Sequence, residues 1–200
     1  MIMLRSGCIF FLLLVLQACS FSGSAPPEEH FYRLAVAGAD SSFAQPLYKN
    51  IYIRPVMADG IYNERAMLYV EDDSPLEVRR YHYHYWITTP ARLVQEEFRS
   101  YLLSTGITRQ LLSQQPGEPE LVLAIQLVKF ERLVGNGQRV LVALDMDIHQ
   151  AGQSEAILHK TYRAELPADT TMHDTAAAFG QALGTVFKAI SDDLATLKKY

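Results

Sequence analysis

Hydrophobic and polar side chains alternate with a period of two over much of the second half of the chain. Residues 121–133 and 140–149 form two such stretches, and Gly135-Asn136-Gly137 between them is typical of a hairpin turn. A third stretch, residues 156–166, follows a turn at residues 152–154. The pattern predicts an antiparallel three-strand meander with one face in the core.

A period of three to four residues marks two amphipathic helices. Thr88 or Thr89, followed by Pro90, is typical of a helix start, because the hydroxyl can cap backbone amides and proline fits the first turn. Apolar residues then recur at helical spacing until Gly106, a residue type that commonly ends helices. The second helix is predicted over residues 173–197.

The second predicted helix carries one apolar stripe with small residues beside it. The stripe is Ala176, Phe179, Leu183, Phe187, Ile190, Leu194 and Leu197. The small residues are Ala177, Gly180, Ala182 and Gly184. A single stripe normally packs on its own domain, so we expect this helix to lie against the sheet. The small residues allow another segment to approach closely, and homo-oligomer formation through this helix stays open.

The first half of the chain contains shorter apolar stretches that are typical of strands. They cover residues 31–34, 51–54, 66–70 and 80–86. The chain has 200 residues, enough for one domain with a sizeable core. The predicted fold class is α+β, with a largely antiparallel sheet that includes the C-terminal meander and two main amphipathic helices packed on it. We assign residues 31–200 to this single domain.

The N-terminal residues 1–18 have the pattern of an export signal. One positive residue, Arg5, precedes an apolar run over residues 8–16 that is too short to span a bilayer. The sequence Leu16-Gln17-Ala18-Cys19 resembles the lipobox of bacterial lipoproteins, with an aliphatic residue, a small residue and the cysteine that is lipidated. We predict cleavage between Ala18 and Cys19 and lipid attachment to Cys19.

The residues after Cys19 predict a tether and a location. Residues 19–30 are rich in Ser, Gly, Pro and Glu, a composition typical of a flexible tether between a lipid and a domain. By the sorting rule of enteric bacteria, Ser20 after the lipidated cysteine indicates the outer membrane of a Gram-negative bacterium. The domain is then expected to face the periplasm.

Cysteine usage and charge exclude two kinds of chemistry from the predicted mature domain. Cys8 leaves with the signal peptide and Cys19 carries the lipid, so no disulfide, thiol nucleophile or thiolate metal site is expected. The formal net charge is -4 and the pI is about 5.8. Because no basic run or basic aromatic patch is present, we do not expect nucleic acid as a partner.

The stretch Tyr81-His82-Tyr83-His84-Tyr85-Trp86 raises the question of a metal site. In a regular strand, His82, His84 and Trp86 point to one face, and two imidazoles at i and i+2 can share a metal. The candidates for further ligands are His149, His159, Asp145 and Asp147. A half-exposed strand explains the stretch equally simply, and without an HExxH motif or a cysteine pair we expect no metal.

Catalytic motifs are also missing from the sequence. There is no GxSxG elbow and no glycine-rich phosphate loop, and Asp145 and Asp147 alternate with core residues as a solvated face does. We therefore predict no catalytic residues, no cofactor and no enzymatic activity.

Several short motifs together resemble a known family. Behind the lipobox and the tether come FYRL at residues 31–34, IYIRPV at 51–56, RAMLY at 65–69, Tyr85-Trp86 and a helix that starts with proline. This arrangement resembles the ABC-type transport auxiliary lipoprotein family, which includes the PqiC-type lipoprotein, over nearly the whole mature chain. The resemblance implies a structural role for Tyr85 and Trp86.

The resemblance also implies a function. Members of this family are expected to be lipoproteins that work with MCE-domain proteins and ABC transporters in moving lipids or other hydrophobic molecules between the two membranes. We therefore expect a non-enzymatic auxiliary component of such a system. Two alternatives stay open: a structural lipoprotein of another envelope or secretion assembly, and a periplasmic hydrolase or metal-binding protein that uses His82 and His84.

Overall fold

The structure is a computed structural model that describes residues 27–40, 42–112 and 119–198. The predicted signal peptide, Ala18, Cys19 and most of the predicted tether lie outside these residues. The strands are His30–Tyr32 (β1), Tyr48–Ile53 (β2), Met57–Ala58 (β3), Ala66–Glu71 (β4), Val78–Trp86 (β5), Thr108–Leu112 (β6), Leu121–Val134 (β7), Arg139–Gln150 (β8) and Ala156–Pro167 (β9). The helices are Pro90–Thr105 (α1) and Met172–Leu197 (α2), with a 3-10 helix at Gly60–Asn63.

Strand β7 is the centre of the sheet. On one side it pairs antiparallel with β8, which pairs antiparallel with β9, so the predicted meander is confirmed. Its other edge is shared along its length by β2, β3 and β4, all parallel to it. Strand β6 extends the sheet beyond β2, while β5 and then β1 extend it beyond β4. The predicted α+β class is confirmed.

The sequence pattern missed two parts of this topology. Strands β3 and β6 were not predicted, because two and five residues respectively are too few to establish a period. The parallel pairing along β7 was not predicted either, since alternation shows which face of a strand is buried and does not identify its neighbour. The longest ladders, between β7, β8 and β9, are antiparallel as expected.

Both helices pack on one face of the sheet. Trp86, Phe130 and Phe179 form an aromatic cluster between the sheet and α2, with ring centroids 4.3–5.5 Å apart. Phe98 of α1 lies 5.0 Å from Phe187 of α2, which joins the two helices. The predicted stripe of α2 is confirmed, since the residues from Ala176 to Leu194 in it are buried.

The helix ends follow the sequence signals, with one difference. Helix α1 starts at Pro90 and ends at Thr105, and the C-cap residue Gly106 has a φ of 66°. Thr89 occupies the N-cap position, but its hydroxyl makes no capping hydrogen bond. In α2, by contrast, the hydroxyl of Thr171 accepts a hydrogen bond from the backbone N–H of Asp174 (3.1 Å). None of the helices in the described part of the chain is long and apolar enough to cross a membrane.

An extended segment, residues 33–40, links β1 to the rest of the domain by crossing both helices; we call it the strap. The backbone N–H of Val36 donates to Oε2 of Glu97 (3.0 Å), and the N–H of Ala39 donates to Oγ of Ser104 (3.0 Å). The strap lies so close to α2 that a Cβ at Gly180 would overlap the carbonyl oxygen of Ala35. The close approach predicted from the small residues is therefore confirmed at Gly180.

Candidate functional site

The site with the most distinctive side chains is the edge of the sheet where the predicted tether enters the domain. Residues His30–Tyr32 of β1 pair in parallel with residues 84–86 of β5. We call the side chains of these two strands the aromatic edge: His30, Phe31, Tyr32, Tyr81, His82, Tyr83, His84 and Tyr85. The stretch singled out in the sequence thus lies beside the first described residues of the domain.

The solvent side of the aromatic edge is built around Phe31. Its ring stacks on Tyr85 with centroids 5.8 Å apart, and the guanidinium of Arg65 lies 5.5 Å from its centroid. Even so, 52% of Phe31 and 42% of Tyr83 remain exposed. Phe31 is therefore the candidate contact residue, since its exposed ring continues onto the ring of Tyr85, and continuous apolar surface marks contact sites more often than isolated side chains do.

The second half of the aromatic edge is a cluster around His84. Nδ1 of His84 lies 2.9 Å from the hydroxyl of Tyr32, and its ring stacks on His30 with centroids 5.3 Å apart. Partial burial lowers the pKa of His84 below its ordinary value, and the charges of His30 and Arg132 lower the pKa further. This environment therefore favours the neutral imidazole.

The predicted alternation of this stretch is wrong. A regular strand would place Tyr81 and His84 on opposite faces, but their rings meet edge to face with centroids 5.7 Å apart. The cause is an irregularity in the β4–β5 ladder, whose register shifts between Ala66 and Leu68. His82 is exposed and neighbours the ring of Tyr83.

The structure does not bring the other candidate ligands to His82 and His84. They lie on β8 and β9, where Nδ1 of His159 is 2.5 Å from Oδ1 of Asp147. Three strand spacings separate β5 from β8, which is about 14 Å. Within residues 27–40, 42–112 and 119–198, no three His, Cys, Asp or Glu side chains are placed to hold one metal ion.

A cavity of about 870 Å³ opens beside the aromatic edge. Its lining includes Phe31, Ile61, Arg65, Val78, His82 and Tyr85. Two arginines at its wall already have partners: Arg79 pairs with Glu71 and Glu77, and Arg80 pairs with Glu64, at 2.6–2.7 Å. Glu29 and Arg65 also line this cavity, so its wall combines charged side chains with the rings of Phe31 and Tyr85.

A second cavity of about 800 Å³ lies between the strap and α2. Small residues of the helix, including Ala177 and Gly184, form part of its lining. Phe31 lines both cavities, so it lies at the junction between the aromatic edge and the helix face.

Sequence reasoning missed a buried arginine behind the aromatic edge. Arg132 on β7 is only 6% exposed. Its guanidinium donates to the hydroxyl of Tyr81 (3.3 Å), to Sδ of Met172 (3.1 Å) and to the carbonyl oxygens of Asp169 (3.4 Å) and Thr170 (3.1 Å). It thus joins β5 to the turn before α2. The available signal was the charged pair Glu131-Arg132 inside a mostly apolar strand.

Comparisons with known proteins identify the fold. No family model and no curated protein matches the chain. Among solved structures, protein XCC0632 from Xanthomonas campestris, of family model DUF330, matches with a TM-score of 0.73 and 18% identity over 85% of this chain and 98% of that one. An uncharacterized protein matches with a TM-score of 0.69 and 12% identity, over 84% and 99%.

A minor lipoprotein from Acinetobacter baumannii matches with a TM-score of 0.36 and 14% identity, over 74% of this chain and 95% of that one. The two structures with the higher TM-scores share the fold of this chain, and their sequence identities of 18% and 12% show the fold alone.

The neutral His84 predicts a pH dependence of stability. Its folded pKa lies below the ordinary 6.5, so the unfolded chain takes up a proton that the folded domain resists. This loss of stability is absent well above pH 6.5 and grows as the pH falls below it. We expect His84→Gln to flatten the drop in the urea midpoint between about pH 7.5 and about pH 5.5.

The control variant, His159→Gln, is expected to change the pH dependence of stability in the opposite direction. Hydrogen bonding to Asp147 raises the pKa of His159, so its contribution is present at acid pH and is lost as the pH rises through the raised pKa. His159→Gln should therefore steepen the same drop. An unchanged drop in His84→Gln would contradict the assignment of the neutral imidazole.

Proposed function

We propose that this chain is a membrane-anchored periplasmic lipoprotein that acts as a non-enzymatic auxiliary component of an ABC/MCE-type system moving lipids or other hydrophobic molecules between membranes. The lipobox Leu16-Gln17-Ala18-Cys19, within and directly after the apolar run of residues 8–16, carries the membrane anchor. The resemblance of FYRL, IYIRPV and RAMLY to the ABC-type transport auxiliary lipoprotein family carries the transport role. Acyl chains on Cys19 would contribute about 0.8 kcal/mol per buried methylene to membrane binding. Ser20 supports the outer membrane as the anchoring site.

The position of the aromatic edge supports a docking role for the domain. It lies at the end of the sheet that the tether enters, and Phe31 and Tyr83 leave apolar surface in water there. The neighbouring cavity presents the rings of Phe31 and Tyr85 beside charged side chains, among them the ion pair of Arg80 and Glu64. We infer that a component of the transport system docks at this edge while the lipid holds the domain at the membrane.

The anchor predicts a simple biochemical result. In cells fed a labelled fatty acid, the wild-type protein should carry the label and sediment with membranes, because the thiol of Cys19 accepts the lipid. Cys19→Ala should lose all label. Cys8→Ala is the matched control, since that thiol leaves with the signal peptide, and it should label like the wild type. Label that survives in Cys19→Ala would contradict the anchor.

The transport role is tested by crosslinking in intact cells. The lipidated protein with a C-terminal affinity tag is crosslinked and purified, and the captured proteins are identified by mass spectrometry. We expect an MCE-domain protein or its ABC transporter. Capture of only secretion or cell-wall components would overturn the transport role and favour the alternative, a structural lipoprotein of another envelope assembly.

A further inference from the structure

Strand β1 is held to the sheet by a short ladder. Its three residues pair with residues 84–86 of β5, and the backbone N–H of Ile87 donates to the carbonyl oxygen of Tyr32 (3.0 Å). None of its three side chains is buried. Because short elements with few buried contacts open at a low cost in free energy, β1 is suited to open while the rest of the sheet stays folded.

Two of the three side chains of β1 contact the same imidazole, that of His84. The ring of His30 stacks on it with a centroid distance of 5.3 Å and an interplanar angle of 15°. The hydroxyl of Tyr32 lies 2.9 Å from its Nδ1. The third side chain, Phe31, stacks on Tyr85 instead. The state of His84 therefore affects most of the side-chain contacts that hold β1.

The groups around His84 favour a neutral ring over an imidazolium. His30 and Tyr32 face it from β1, and Tyr81 meets it edge to face from β5 itself. The positive charge of Arg132 acts on it from β7. Among the described residues, no carboxylate lies within ion-pair distance of either imidazole. A proton on His84 would therefore add a positive charge beside Arg132 and His30 without a counter-ion.

The direction of the pH effect follows from this arrangement. Partial burial and the neighbouring charges lower the pKa of His84 while β1 is paired. Opening of β1 returns the ring to water and moves its pKa towards the ordinary 6.5. The open form then takes up a proton that the closed form resists, so pairing of β1 is fully favoured well above pH 6.5 and weakens as the pH falls below it.

The strap is held by contacts that do not involve this imidazole. Leu34, the second residue after β1, is buried in the core. The backbone N–H of Val36 donates to Glu97, and the carbonyl oxygen of Ala35 lies against Gly180 of α2. Opening of β1 thus ends at a fixed point of the chain, and the residues that move include Phe31.

We propose that β1 is a pH-sensitive switch, in which protonation of His84 releases β1 from β5, separates the ring of Phe31 from that of Tyr85 and so removes the docking surface at the aromatic edge. The last step rests on the proposed function, in which a transport component docks at this edge. The inference deepens that function, because it makes docking depend on the pH of the compartment that the domain faces.

Amide hydrogen exchange of the full-length lipidated protein in detergent micelles tests the opening of β1. The amide of Ile87 reports it, because this N–H donates to Tyr32. To alter docking, the open form must be populated to about a tenth at pH ~7.5, so the protection factor of this amide should be about ten or lower there. We expect the factor to fall severalfold at pH ~5.5, and by at most about tenfold, since one proton is taken up.

Other amides and two variants make this result specific. Amides of β8 should be better protected than that of Ile87 at both pH values, because β8 lies between two long ladders. His84→Gln still offers Tyr32 a polar partner but takes up no proton, so the protection of Ile87 should no longer depend on pH. His159→Gln is the matched control on β9 and should respond as the wild type does.

Three results of the exchange experiment would overturn the switch. The first is a protection factor of Ile87 that equals that of the β8 amides, which would mean that β1 opens only when the whole domain unfolds. The second is a factor that does not change between the two pH values in the wild type. The third is the same pH response in His84→Gln and in the wild type.

The docking step is tested by photo-crosslinking in intact cells held at the same two pH values. A photoreactive phenylalanine analogue replaces Phe31 in the affinity-tagged, lipidated protein. We expect crosslinks to a transport component at the higher pH and a yield about two- to tenfold lower at the lower pH. In His84→Gln the two yields should be equal, which excludes a pH response of the partner as the cause.

The outcomes separate this inference from the proposed function. Crosslinks to a transport component with equal yields at both pH values in the wild type would overturn the switch and leave the function standing. Crosslinks to an unrelated envelope protein that are lost in acid, and kept in His84→Gln, would support the switch and overturn the function.

Discussion

Replacement of Arg132 by methionine is expected to lower the free energy of unfolding by about 2–4 kcal/mol. The guanidinium donates to four acceptors at once: a tyrosine hydroxyl, a methionine sulfur and the carbonyl oxygens of Asp169 and Thr170. Methionine keeps the apolar stem but donates no hydrogen bond, so these acceptors would be left without their charged donor. Urea unfolding followed by circular dichroism measures the change.

Two further variants make this expectation specific. Arg163→Met on β9 removes an arginine whose side chain is 61% exposed and which pairs with Glu165. We expect a change within about 0.5 kcal/mol there, because exposed ion pairs contribute little. Arg132→Lys should recover only part of the loss, since an ammonium cannot match the planar fork of the guanidinium. Wild-type stability in Arg132→Met would show that Arg132 does not hold the turn before α2.

The elements that could be predicted from the sequence are those with a long, regular period. The meander and both helices follow directly from spacings of two and of three to four, and their turns carry glycine where the backbone requires it. The position of β7 between parallel and antiparallel neighbours could not be predicted in this way. Three separate segments, β2, β3 and β4, pair with the same edge of β7. The periodicity of each segment does not show which strand it pairs with.

The candidate site was located by the sequence but its geometry was not. The alternating tyrosines and histidines identified β5, while the register shift beside Ala66 decided which rings meet. Phe31 was predicted only as a strand residue, and its exposure depends on the short ladder with β5. The pairing of β1 with β5 joins segments more than fifty residues apart, and periodicity does not carry that information.

Replacement of Gly180 by alanine is expected to destabilise the domain by about 1–3 kcal/mol, although alanine favours helices over glycine by about 1 kcal/mol. The reason is the strap, because a Cβ at this position would overlap the backbone carbonyl of Ala35. Backbone cannot rotate away as a side chain can, so the strap must move from α2. Thermal and urea unfolding of the variant measure the change.

Gly184→Ala is the matched control, one helical turn further along α2. A Cβ at Gly184 would meet Cγ1 of Val36 at 3.6 Å, an ordinary van der Waals contact. The helical preference of alanine should then prevail, and we expect this variant to be as stable as the wild type or about 0.5–1 kcal/mol more stable. A loss of stability in Gly180→Ala together with no loss in Gly184→Ala would establish that the strap packs tightly on α2 at Gly180. Stabilisation by both alanines would show instead that the strap is free to lift, and that β1 is held to the domain mainly by its ladder with β5.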